Sequence, residues 1–171
     1  MFREGDKVSY PHHGAAVVVD RVERVVFGER RAYLKLGLRH GGLTLVVPVD
    51  RTAQVGLRPV ATKRQIKEVL HLLQTAEGSM PTLWHPRHRA NSAKVASGDI
   101  LQVAEVVRDL AGIGRRTGLS QERRMVFKAR ELLVSELAVA LDSTDEYAEA
   151  TLDQVLETPR WLRPDTLVKN S

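Results

Sequence analysis

The sequence predicts an α+β protein in which a small antiparallel β module, curled toward a barrel, is followed by an all-α bundle of about five helices. Three observations predict it. Up to about residue 59 the chain is a series of Val-, Leu- and Tyr-rich runs broken by glycine turns, as strands are. From Thr62 onward the apolar residues recur at helical spacing. Between the helical stretches stand residues that stop one helix and start the next, such as Gly98-Asp99 and "STDE" at 143–146.

The β module takes residues 1–59. Its strands are "KVSY", "GAAVVVDRVERVVF", "RRAYLKLGL" and "LTLVVPV", separated by "PHHG", "FGE" and "RHGG". Gly28, Gly41 and Gly42 suit hairpin turns because glycine accepts positive φ at little steric cost. Polar residues at Asp20, Arg21, Glu23 and Arg24 break strict alternation in the longest run, which predicts a bend at a β-bulge. A sheet this small leaves one strand edge open to a partner.

The helical domain takes residues 60–157. Thr62 is an N-cap candidate, followed by Ile66, Val69, Leu70 and Leu73 on one face. After the loop "EGSMPTLWH", Pro86 fits the first turn of a helix through "RHRANSAKVAS", because the backbone N–H it lacks would be unpaired there. Gly98 ends that helix and Asp99 caps the next, "ILQVAEVVRDLAG". Ser120 opens the longest helix, and Ser143 with Glu146 reads as a capping box for a last helix through Leu156. Residues 158–171, with two prolines and Trp161, show no periodic face and are expected to be loosely ordered.

Composition narrows the function. With no cysteine there is neither a disulfide framework nor a thiolate metal site. The start "MFREGDKVSY" has no apolar run after its basic residue, and no stretch approaches the roughly 20 apolar residues that span a bilayer, so a cytoplasmic protein without membrane attachment is expected. The net charge of +5 is uneven: residues 1–59 carry +4, residues 60–130 carry +7 and residues 131–171 carry −6. A basic middle suggests a polyanion-facing surface.

Catalysis is not expected. His12 and His13 are adjacent, so on a strand they point to opposite faces, and His85 and His88 straddle Pro86 with no carboxylate in the loop to orient them. No metalloprotease, phosphate-loop, dinucleotide-binding or nucleophile-elbow pattern occurs, and no catalytic, metal or cofactor site is predicted. Trp84 stands out instead. Pro81 and Pro86 stiffen its loop, and a helix N-terminus with its unpaired N–H groups begins beside it. Arg87, Asn91 and Lys94 recur at i, i+4 and i+7 on one helix face, with Arg89 on roughly the opposite side. An aromatic wedge beside a row of cations suits duplex DNA whose bases are already parting.

The blocks "GDKVSYPHHGAAVV", "LTLVVPV", "PTLWHPRHRAN" and "ASGDILQVAEVVRDL" together resemble the CarD/CdnL family of bacterial transcription regulators, over residues 1 to about 157. The resemblance implies a Tudor-like barrel, related to the polymerase-binding module of transcription-repair coupling factors, that binds the β-subunit lobe of RNA polymerase. It implies a helical domain that reaches the upstream edge of the transcription bubble, lengthening the life of open promoter complexes, with ribosomal RNA promoters prominent. Trp84 falls on the family's wedge position, Arg87 and Arg89 on positions that contact DNA backbone, and Arg123 near a further basic position. Arg24 falls on an arginine used against polymerase, whereas a second such arginine is Val46 here. The expectation is a non-catalytic monomer that needs no cofactor and partners polymerase and promoter DNA, the DNA contact including Lys94 and largely independent of sequence. The alternative is an architectural double-stranded DNA-binding protein that acts without polymerase.

Overall fold

Strands β1 (Lys7–Tyr10), β2 (Gly14–Val26), β3 (Glu29–Leu38), β4 (Thr44–Pro48) and β5 (Arg58–Pro59) form one antiparallel sheet in the order β4-β3-β2-β1-β5. The computed structural model describes residues 1–75, 78–117 and 120–157, with side chains described outside 111–120. The long strand bends as its broken alternation predicts: the β2–β3 register shifts between Val18 and Asp20. The curled sheet stays open rather than closing into the expected barrel. β5 is two residues long and pairs only with β1, so β4 is left as an edge with β3 its single neighbour. One face buries Val8, Ala16, Val18, Leu34, Leu36, Leu38, Val47 and Leu57 as a small core.

Helices α1 (Lys63–Leu73), α2 (Trp84–Ser97), α3 (Ile100–Thr117), α4 (Ser120–Ala140) and α5 (Asp145–Glu157) enclose a second, larger core. Ile66, Val69 and Leu73 of α1 meet Val103, Val106, Val107 and Leu110 of α3 and Leu133 and Leu137 of α4 there. Helix boundaries follow local chemistry. Thr62 and Gln65 form a full capping box at α1, Gly98 closes α2 at φ 70°, and Asp99 Oδ1 accepts from the N–H groups of Leu101 and Gln102 at 2.9 and 3.0 Å. The start of α5 differs from the expected box. Thr144 is the cap, its Oγ1 accepting from Tyr147 N at 3.2 Å, while Ser143 Oγ is buried with no partner among the described residues. Ser143 is already committed to ending α4: with Asp142 at φ 51°, its N–H turns back to Ala138 O at 2.8 Å. Residues 158–171, including Trp161, lie outside the described residues.

The two cores are joined through the Glu136 carboxylate on α4, which is 4% exposed. It accepts from Arg58 Nη1 and Nη2 at 2.6 and 3.0 Å, from Ser9 Oγ at 3.0 Å and from Ala61 N at 2.8 Å. Arg58 also donates to Gly98 O, from Nε at 3.0 Å and Nη2 at 2.6 Å, so one guanidinium ties the last strand to α4 and to the end of α2. One residue earlier on α4, Ser135 Oγ accepts from Ala15 N at 3.1 Å. A Cβ on Gly14, which sits at φ 79°, would collide with that hydroxyl; only glycine permits so close an approach. Lys7 pairs with Asp142, and Arg39 reaches Asp145 and the Ser143 carbonyl at 2.5 and 2.9 Å.

Glu136→Gln would keep the volume but replace the charge, and would turn an N–H toward groups that are themselves donors. A loss of about 2–4 kcal/mol is expected, since breaking one side of a buried charged network leaves its partner poorly satisfied. Urea denaturation read by circular dichroism measures it.

Candidate nucleic-acid interface

Helix α2 begins earlier than Pro86 suggests. Leu83 is the N-cap in extended conformation and Trp84 is the first helical residue, so Pro86 is third, still within the turn whose N–H groups lack intrahelical partners. Trp84 is therefore carried on a helix end rather than in a loop. The indole is half-buried and lies outside the apolar core of the bundle. Its own helix supports it: His88, one turn on, stacks at 5.2 Å with 19° between planes, and exposed His85 meets it edge-on at 4.5 Å. Trp84 Nε1 and His88 Nδ1 are covered but find no hydrogen-bond partner among the described residues. Leu83 beside them is 73% exposed.

The expected row of cations divides. Arg87, Asn91 and Val95 are the buried face of α2, so the i, i+4, i+7 set looks into the bundle and not outward. Arg87, 9% exposed, donates to Glu122 Oε1 on α4 at 2.7 Å and to the carbonyls of Thr82 and Pro81 at 2.8 and 3.4 Å. Glu122 is itself 1% exposed. α2 has few apolar residues to bury, and a guanidinium–carboxylate pair fills its contact with α4. Lys94 is half-buried and pairs with Glu105 of α3 at 2.7 Å. Arg89 is exposed on the other side of the helix. On α4, Arg123, Arg124 and Lys128 are exposed around Phe127, itself 64% exposed.

On the sheet, cross-strand partners share a face, so the registers Arg24–Arg31, Val22–Tyr33–Pro48 and Asp20–Lys35–Val46 put Arg24 and Val46 on the same side, away from the small core. Arg24 is exposed, and Val46 on the edge strand is 42% exposed.

Some of the residues that build this arrangement are not evident from spacing alone. Glu122 is one. Asp109, 1% exposed on α3, is another: it accepts from Arg108 Nε at 2.7 Å and from Gly78 N at 2.9 Å, and Arg108 donates to Thr75 Oγ1 at 3.0 Å, so the segment leading to Trp84 is anchored at its start. An Arg-Asp pair within an apolar helix is the available signal. His85 and His88 gather on the indole rather than on a carboxylate, and among the described residues no cluster of His, Asp and Glu could hold a metal ion. No described helix is long and apolar enough to cross a membrane.

An edge-exposed sheet is thus locked to a helical bundle that presents a tryptophan and basic residues. Residues 2–61 match the CarD-like/TRCF RID domain and residues 68–153 match the CarD C-terminal domain. The chain belongs to the CarD family, a family of transcription regulators, in general non-enzymatic, whose RID module interacts with RNA polymerase. It is also similar to YdeB of Bacillus subtilis (strain 168), named as a candidate transcription factor, with 31% identity over 147 residues that span 85% of this chain and 96% of that one.

Removing the Arg87 side chain would strip Glu122 of its guanidinium and release the Pro81 and Thr82 carbonyls. Arg87→Ala should cost about 3–5 kcal/mol, the range for breaking a buried pair from one side, and Arg87→Lys less. An arginine engaged only with DNA would leave stability unchanged, so thermal melting of the free protein decides between the two roles.

Proposed function

We propose that this chain binds the β-subunit lobe of RNA polymerase through its sheet and stabilises the open promoter complex, with Trp84 as a wedge at the upstream edge of the bubble. The observation that carries the reading is the setting of Trp84: a large aromatic at the first position of a helix, outside the core, stacked on its own helix's His88. Among the described residues its N–H has no acceptor, so the indole can leave His88 for a parted base step without breaking a hydrogen bond to any of them. The α2 N-terminus, with no side-chain cap, offers N–H groups and positive potential to the neighbouring phosphates.

In this reading Arg89 and Arg123 contact DNA backbone and Lys94 adds charge near it. Arg87 acts from behind, holding the carbonyls just before Trp84 and thereby fixing where α2 starts. Arg24 and the β4 edge at Val46 face polymerase. Main-chain pairing along β4 needs no arginine at position 46, which is why the β module can dock with valine there. Stacking on one base is worth about 1–3 kcal/mol, too little to open intact duplex against the cost of unstacking, but enough to hold a fork that polymerase has opened.

Trp84→Ala should leave polymerase binding and the melting temperature close to wild type while shortening open-complex lifetime about tenfold, as about 1.4 kcal/mol of lost stabilisation requires. Competitor-challenge decay of preformed open complexes measures this, and an unchanged lifetime in a folded, polymerase-bound variant would rule out the wedge. An architectural DNA binder would instead bind naked duplex tightly, its affinity falling with salt by a log–log slope of about −0.9 per phosphate contact. Titration of naked duplex with free protein should show weak binding.

A further inference from the structure

Helix α5 ends beside the first half of α4. The two form an antiparallel pair across the turn at 141–144. Arg130 of α4 ties them, reaching Asp153 Oδ1 at 2.6 Å and the Glu149 carbonyl at 3.4 Å. Phe127 stands three residues before Arg130, and Glu157 four residues after Asp153. At about 1.5 Å per residue, both lie about 5 Å beyond the Arg130–Asp153 pair in the same direction, so α5 ends level with Phe127. A spacing of three also puts Phe127 near the flank of α4 that Arg130 turns toward α5.

The surface at this level is unfinished. Phe127 is 64% exposed, although the bundle core lies directly behind its helix. Val126 and Leu156 edge that core and are only partly buried. On the α5 side the exposed residues include Glu149, Asp153 and Glu157, and the last turn of α5 carries no basic residue. Glu157 thus adds a negative charge to the negative pole of its own helix, where a cation would be favoured. An exposed aromatic bordered by uncompensated acid calls for an apolar group carried between positive charges.

The chain itself has that combination immediately after α5. Its sequence continues "TPRWLRPDTLVKNS", in which Arg160 and Arg163 flank Trp161 and Leu162. These residues lie outside both matched domains. We propose that residues 158–171 dock back on the α4–α5 flank, with Trp161 packed on Phe127 and Arg160 and Arg163 set against Glu157 and Asp153. Trp161 is four residues past Glu157, a reach of up to about 14 Å, whereas packed helix axes stand about 8–10 Å apart. Pro159 bars α5 from simply running on, so the chain must change direction there. A segment with no periodic face adds no helix to the bundle, but it can lay one aromatic on it. The short tether favours this occupant over any free one, since it holds the indole at an effective concentration of about millimolar. Nucleic acid is disfavoured on this flank, because its phosphates would meet the α5 carboxylates.

The test reads the tail's own indole. In full-length Trp84→Phe, Trp161 is the remaining tryptophan. Its emission should be blue-shifted, and less quenched by acrylamide, than that of N-acetyltryptophanamide. Phe127→Ser in that background should return both readings to the free-indole values and lower the melting temperature by about 2–4 °C, the scale of one aromatic contact in a chain of this size. Trp161→Ser should lower it by the same amount, and the two changes together no further, as a shared contact requires. Reversing the charge of Arg160 and Arg163 to Glu should also release the indole. Free-indole readings in the parent overturn the inference. Shielding that survives Phe127→Ser overturns it in favour of another site for the tail. Shielding that grows with protein concentration overturns it in favour of exchange with a second copy. Neither polymerase nor DNA enters the measurement, so the proposed function stands or falls separately.

Discussion

The bonds converging on Glu136 set the geometry on which the rest of the molecule depends. The carboxylate draws donors from β1, from the β5 arginine and from the segment entering α1, and its arginine partner reaches on to the end of α2. Sheet and bundle have separate apolar cores, so burial alone does not fix one against the other. Hydrogen bonds do, because they are directional, and a buried charge tolerates little departure from its donors. The same junction is closed by the approach of Gly14 to Ser135, and on its flank by Lys7–Asp142 and Arg39–Asp145. The two flanking pairs are more exposed than the Glu136 node and contribute less.

The helical segment uses the same device at a second place. Arg87–Glu122 is a buried pair between α2 and α4, and Arg108–Asp109 fixes the start of the segment that leads to Trp84. Charged groups in this half thus have two roles. Those turned inward hold α2 and its approach in position, and those turned outward, such as Arg89, Arg124 and Lys128, give the surface its positive potential. A count of basic residues sees only their sum. The basic residues of 60–130 therefore outnumber the cations free to meet a polyanion, since Arg87 and Arg108 are each neutralised by acids, Glu122 and Asp109, that the net +7 already counts.

What could be read from the sequence follows the range of the interaction concerned. The Thr62 cap, the Gly98 stop and the Asp99 start depend on residues three or four apart, and each stands where the sequence puts it. The bend in β2 was legible because a bulge breaks an alternation that is itself local. At α5, Ser143 and Thr144 are equal candidates by composition; the choice falls to Thr144 because Ser143 closes the preceding helix. Spacing correctly grouped Arg87 and Asn91 on one face of α2, but a period cannot say which face is wet when the buried one is polar. Arg58–Glu136 joins residues 78 positions apart, and nothing local announces it.

Rigidity at the junction bears directly on how weak contacts can suffice. Tethering to polymerase would raise the local concentration of the surface proposed to face DNA, but a flexible tether spreads that concentration over all the positions the linker allows. Fixing α2 against the sheet concentrates it at one displacement from polymerase and removes the ordering cost that each encounter would otherwise carry. In the proposed function a single stacking contact and a few phosphate contacts would then act on the open complex with little subtracted from them. The direction of the proposed effect also follows. A wedge that gains only where bases have parted binds the open form better than the closed one, and about 1.4 kcal/mol of such preference moves their ratio tenfold. Tight binding to both forms would move it not at all, so modest affinity for intact DNA is a requirement of the mechanism rather than a weakness of it.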